Sequence, residues 1–144
     1  MSIRQISVFL ENRRGKLDEM AALLAEQRID LRALSLAEAQ DFGIARMIVD
    51  DAYAAAAVLK EKSFIANITP VLAYAVPDEP GGLSHLLSAF TAADLNIEYM
   101  YAFLGGKDSD HAYMIFRVAD ADAAELALSA RGFRALTQEE ISAI

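Results

Sequence analysis

The sequence predicts an α+β protein made of two copies of one βαββαβ unit. Each copy is an antiparallel sheet with its helices on one face. Three observations carry this. Leu17, Met20, Ala21 and Leu24 have the i, i+3, i+4, i+7 spacing of one helix face, and it recurs 66 residues later in Leu83, Leu86, Leu87 and Phe90. The alternating residues Ile6, Val8 and Leu10 return at the same interval as Leu72, Tyr74 and Val76, a half-buried strand in both copies. Beyond Gln40 the interval becomes 69, taking Asp51 to Asp120, Leu59 to Leu128 and Phe64 to Phe133. One insertion around Lys107-Asp108-Ser109 accounts for the change.

The elements follow in order. A strand over residues 3–10 leads through Glu11-Asn12-Arg13-Arg14-Gly15 into a helix over residues 16–27. A second strand over residues 30–39 turns at Gln40-Asp41-Phe42-Gly43 into a third over residues 44–49, as a hairpin. Asp50 or Asp51 caps an alanine-rich helix reaching residue 62, since a short carboxylate accepts from the free N–H groups of the first turn. A fourth strand over residues 64–68 runs almost directly into residues 70–76, so no linker separates the copies. The second copy repeats the order: a helix over 82–93, strands over 96–104 and 111–118, a helix over 121–130 and a strand over 133–136. Thr137-Gln138-Glu139-Glu140 reads as a capping box opening a short final helix. The copies define domains 1–68 and 69–144, and this strand order is the ferredoxin-like, split βαβ plan.

Composition narrows the function. The chain has 144 residues, of which 55% are hydrophobic and 24% charged, enough to form a packed core without staples. It has no cysteine, which excludes disulfides, thiolate metal sites and a cysteine nucleophile. Asp108, Asp110 and His111 share one loop with no second ligand cluster, so neither a metal nor another cofactor is expected. The net charge of −8 repels a phosphate backbone, so nucleic-acid binding is not expected. No apolar run is long enough to span a membrane, and Met1-Ser2-Ile3-Arg4-Gln5-Ile6 has no basic stretch leading into an apolar run. A cytoplasmic protein is expected. No phosphate loop, nucleophile elbow or zinc-helix motif occurs, so the chain is not expected to be an enzyme.

The chemistry that remains lies between the first strand and first helix of each copy. Asn12-Arg13-Arg14-Gly15-Lys16-Leu17 and Asp78-Glu79-Pro80-Gly81-Gly82-Leu83 both place glycine just before the helix. A helix N-terminus offers unpaired N–H groups and a positive partial charge, which suit a carboxylate. Asn12 or Asp78 adds an acceptor for an ammonium, and the two together describe a free amino acid. The same residues also serve a purely conformational role, with glycine supplying a special backbone angle and Asn or Asp closing the turn.

A βαββαβ unit with Asp/Asn-x-x-Gly-x-Leu in its first loop, then Ile-Asp-Leu or Leu-Asn-Ile opening its second strand, resembles an ACT domain. The pair covers nearly the whole chain, so the sequence is similar to a stand-alone tandem ACT protein. That resemblance implies a regulatory module of amino-acid metabolism, with a free amino acid held between two units. It places one site at Asn12, Gly15, Lys16 and Leu17 with Asn96 and Ile97. The mirror site takes Asp78, Gly81, Gly82 and Leu83 with Asp30 and Leu31. Arg14 stands where the family favours proline, and Asn12 where it favours aspartate. Asn12 cannot neutralise an ammonium, so the two sites are expected to differ in affinity. The apolar residues on both faces of the first strand, Ile3 and Phe9 against Ile6, Val8 and Leu10, call for a homodimer. A partner enzyme is the other expected reader of the ligand. The alternatives are a ligand-free oligomerisation subunit and an enzyme of ferredoxin-like fold with an unrecognised site.

Overall fold

The repeat seen in the sequence is carried into hydrogen bonding almost bond for bond. The computed structural model describes residues 2–103 and 110–144, so Leu104 and the turn from Gly105 through Ser109, with the expected insertion at Lys107-Asp108-Ser109, lie outside the described residues. The chain divides into a first unit, Arg4–Thr69, and a second, Pro70–Ile144, with Ile3 belonging to the latter. The first unit contains β1 (Ile3–Glu11), α1 (Lys16–Glu26), β2 (Leu31–Ala39), β3 (Phe42–Val49) and α2 (Ala52–Glu61), and opens β4 (Ile65–Pro77). The second continues from β4 through α3 (Gly82–Ala92), β5 (Tyr99–Ala102), β6 (His111–Arg117), α4 (Ala121–Ser129) and α5 (Gln138–Ala143).

In the first unit the strand order is β2-β3-β1-β4, and in the second β4-β6-β5. β1 and β2 each run antiparallel to β3, with Leu10 and Glu38 flanking Gly43 from either side. β4 and β5 each run antiparallel to β6, with Val76 opposite Ala112.

Alternation decides what is buried. Ile6, Val8 and Leu10 of β1 point to one face and meet Met20 and Leu24 of α1, with Ala52, Ala55 and Leu59 of α2. The same places in the second unit hold Leu72, Tyr74 and Val76, Leu86 and Phe90, and Ala121, Ala124 and Leu128. Alanines on the inner face let α2 and α4 lie close to the sheet. Asp51 accepts from the Ala54 N–H at 3.0 Å and Asp120 from the Ala123 N–H at 3.1 Å, capping α2 and α4 alike. The chain also leaves the helices alike. Arg28 and Asp94 adopt φ of 56° and 58° after α1 and α3, and Ser63 and Gly132 adopt 68° and 89° after α2 and α4. Each exit is closed by a bond back into the helix: Ile29 N–H to Leu24 O, Leu95 N–H to Phe90 O, Phe64 N–H to Leu59 O and Phe133 N–H to Leu128 O.

Four elements depart from expectation. β3 begins at Phe42 rather than at residue 44, because Gln40 at φ 56° lets Gln40-Asp41 alone make the turn. β5 begins at Tyr99 rather than at residue 96, because the chain is still being drawn back to α3 at Leu95. Residues 64–68 and 70–76 form one strand, β4, rather than two. Residues 133–136 are not a strand: one bond, Leu136 N–H to Ala73 O at 2.8 Å, ties them to β4. In each unit the two helices of the repeat keep to one face of that unit's strands. The final helix α5 lies outside the repeat, and its Glu140 and Ala143 share a groove with Ala75 and Tyr113 on the opposite face of the second unit. Its capping box forms as expected, with the Thr137 hydroxyl accepting from the Glu140 N–H at 3.1 Å and Glu140 Oε1 accepting from the Thr137 N–H at 3.1 Å.

Candidate functional site

The two loops before α1 and α3 are built on one pattern. In the first, the Arg13 N–H donates to Glu11 O at 2.8 Å and the Lys16 N–H to Arg13 O at 3.4 Å. In the second, the Glu79 N–H donates to Pro77 O at 2.9 Å and the Gly82 N–H to Glu79 O at 3.1 Å. Gly15 and Gly81 sit at the helix head with φ of 89° and 90°, a conformation that favours glycine. Neither helix is capped by a side chain at this position, so its first turn presents backbone N–H groups and the positive end of the dipole.

The loops differ in what fills the first helical position. Lys16 occupies it in the first unit, half-buried, with Nζ 3.4 Å from Glu19 Oε2 and 5.6 Å above the Phe64 ring. Gly82 occupies it in the second, where a Cβ would collide with the Pro77 carbonyl oxygen. Leu17 and Leu83 turn inward onto their cores. Asn12 is exposed, its backbone N–H donating to Asp41 O at 2.8 Å and its Nδ2 to Gln40 O at 3.1 Å. It therefore clasps the β2–β3 turn, and its Oδ1 has no partner among the described residues. Asp78 makes the same backbone bond, to Asp110 O at 2.9 Å, and its carboxylate has no partner among the described residues.

The residues at the start of the second strands lie elsewhere. The Asp30 N–H donates to Asp50 Oδ1 at 3.2 Å, and Asp30 Oδ2 lies 3.4 Å from Arg32 Nε. Leu31 opens β2 opposite Val49. Asn96 is exposed ahead of β5, and Ile97 packs on the core of the second unit. Because β1 and β2 run the same way, the loop after β1 and the residues opening β2 are at opposite ends of the first unit's sheet. The same holds for β4 and β5. Neither unit brings its own loop together with its own strand-two residues.

What the first loop does meet is the far end of β2. Asn12, Lys16 and Leu17 line a cavity of about 170 Å³ together with Leu10, Glu11, Arg13, Leu36, Ala37, Glu38 and Gly43. Glu11 is engaged by Arg13 at 2.9 Å, whereas the Glu38 carboxylate has no partner among the described residues. Glu38, Leu36 and Gly43 were not picked out from sequence. Alternation along β2 and the hairpin register were the signals that would have put Leu36 and Glu38 on the helix-facing side beside Gly43.

The family model described as "ACT domain pair" matches residues 1–144. A crystal structure of a protein from Bacteroides thetaiotaomicron is similar over 100% of this chain and 98% of its own, with 35% identity and a TM-score of 0.91. The ligand-free regulatory subunit of aspartate kinase from Thermus thermophilus has a TM-score of 0.64 at 18% identity, covering 88% of this chain and 91% of its own. The corresponding subunit from Thermus flavus gives 0.62 at 16% identity, covering 90% and 92%. These two share the fold. No match is found among curated protein sequences.

Proposed function

Since the chain belongs to the family of ACT domain pairs, we propose that it is a non-catalytic regulatory protein that binds a free amino acid at the loop heading a unit's first helix. One observation carries this reading: both units repeat a glycine at φ near 90° followed by a helix whose first turn no side chain caps. Such a turn stabilises an anionic group by backbone N–H bonds and by its dipole. Asp78 supplies a carboxylate with no partner among the described residues for an ammonium beside the second loop, and Asn12 Oδ1 a neutral acceptor beside the first. Regulatory subunits of aspartate kinase have the same fold, and by analogy a partner enzyme or a second copy of this chain reads the ligand. The chain carries no cysteine, and no metal or other cofactor enters this reading.

A thermal-shift screen of all twenty amino acids tests it. A ligand that binds only the folded state stabilises by RT ln(1 + [L]/Kd), about 2.7 kcal/mol at a hundredfold excess over Kd. One or a few amino acids are expected to raise the melting temperature, by roughly 5–10 °C for a chain of this size. If none of the twenty shifts it at millimolar concentration, this chain alone does not sense amino acids.

A further inference from the structure

One small residue forms part of the wall of the cavity beside the first loop. Gly43 lies in the middle strand between Leu10 and Glu38, facing the helices, and it is buried. A Cβ there would come within 3.2 Å of Leu36 Cδ1, so a methyl group at this position would crowd the cavity wall and press Leu36 aside. The repeat supplies a natural control: the residue 69 positions later is Ala112, which packs on the core of the second unit opposite Val76. The position carries no side chain in one copy and a methyl group in the other.

What surrounds the notch has three kinds of surface. Leu10, Leu17 and Leu36 make an apolar wall. Lys16 brings an ammonium held on the Phe64 ring, and its only described carboxylate partner, Glu19, is a surface group at 3.4 Å that a ligand exchanges at little cost. Glu38 brings a carboxylate with no described partner, while the other two charged groups, Glu11 and Arg13, satisfy each other.

From this we infer that the first unit holds a self-contained pocket for an apolar α-amino acid. Lys16 joins the N–H groups at the head of α1 in taking the carboxylate, Glu38 adds to the neutral Asn12 Oδ1 the charge that takes the ammonium, and the side chain lies against Leu36 over Gly43. The inference rests on the amino-acid reading above and goes beyond it. It names Glu38 as the ammonium partner, sets the side-chain class by the leucine wall, and completes the site from residues of one unit.

Calorimetric titration of the full chain with leucine, isoleucine, valine and phenylalanine tests it, using three variants. Gly43→Ala copies the second unit. Leu36 is 52% exposed, with room to move aside, and Gly43 has no positive φ, so the variant should fold with little change in melting temperature yet bind at least tenfold more weakly. Glu38→Gln should weaken the free amino acid five- to tenfold while leaving its N-acetyl derivative unaffected, because the acetylated nitrogen carries no charge. Lys16→Met should weaken both. If the wild type binds one of the four but all three variants bind it equally well, the pocket is elsewhere and only this inference fails. If the wild type binds an amino acid outside the apolar class and none of the four, the side-chain assignment fails. If it binds none of the twenty, the functional reading fails with it.

Discussion

Tyr74 shows what one side chain contributes where the copies differ. It stands where the first unit has Val8, and its ring meets Phe90 and Phe116 edge-on, with centroids 6.3 and 6.1 Å away. Its hydroxyl is buried with no hydrogen-bond partner among the described residues. Burial pushes the phenol's pKa up, and the nearby Glu125 charge pushes it further, so the group stays protonated across the working pH range. A buried hydroxyl left unpaired costs about 1–3 kcal/mol. Tyr74→Phe keeps the ring contacts and removes that cost. It should be neutral or stabilising by about 1 kcal/mol in urea denaturation, and a clear loss of stability would mean that the hydroxyl is satisfied in solution.

Among the elements, α5 depends most visibly on charge. Arg134 grips Glu140 with two bonds, at 2.7 and 2.9 Å, and Glu140 also closes the capping box with Thr137. The Arg134 bond first, and the Thr137 backbone bond second, hold the Glu140 carboxyl down to about 2. A depressed folded pKa contributes stability above the ordinary carboxylate value, and that stability drains away as pH falls through the folded value. NMR shifts of Ile141 and its neighbours, followed from pH 6 to pH 2, should therefore report α5 loosening between about pH 4.5 and pH 2. Arg134→Met should move the onset upward, and an unmoved profile would free α5 from this clamp. The ion pair is exposed, so its effect on global stability is small. The capping box was plain in the sequence, as were the four repeat helices to within about a residue and the left-handed glycines before two of them. Each is written in a short run of residues. The place of α5, the failure of residues 133–136 to form a strand, and the notch at Gly43 were not legible. They depend on which strands flank which, and a missing side chain has no periodicity to announce it.

At the whole-molecule scale, one end of the first unit's sheet is open to solvent on the face turned away from the helices, whereas Ile3, Gln5, Ala33 and Ile48 on that same face are buried. Phe9, Phe42 and Ile65 point away from the helices and are 41%, 53% and 64% exposed. Lone exposed apolar residues are ordinary, but these three line one shallow depression with Phe64 and Lys16, a surface suited to association. We expect a homodimer, and light scattering should return a mass of about 31 kDa, twice the 15.7 kDa chain. Phe9→Ser combined with Phe42→Ser should return the monomer mass with the melting temperature little changed at low concentration. A wild type already monomeric at micromolar concentration would mean that no second copy covers this face.

The paired exits from α2 and α4 make the protein a source of instructions for its own engineering. The backbone after both helices enters the left-handed region, but serine occupies it in one copy and glycine in the other. A side chain there costs about 1–2 kcal/mol in crowding against the carbonyl, less what glycine's looser unfolded chain gives back. Ser63→Gly transplants the second copy's solution into the first, with no contact to redesign. Calorimetric melting should rise by roughly 2–4 °C, the equivalent of about 1 kcal/mol. A fall instead would show that Ser63 makes a compensating bond in solution. Heat tolerance can in this way be improved by copying residues from one half of the chain to the other.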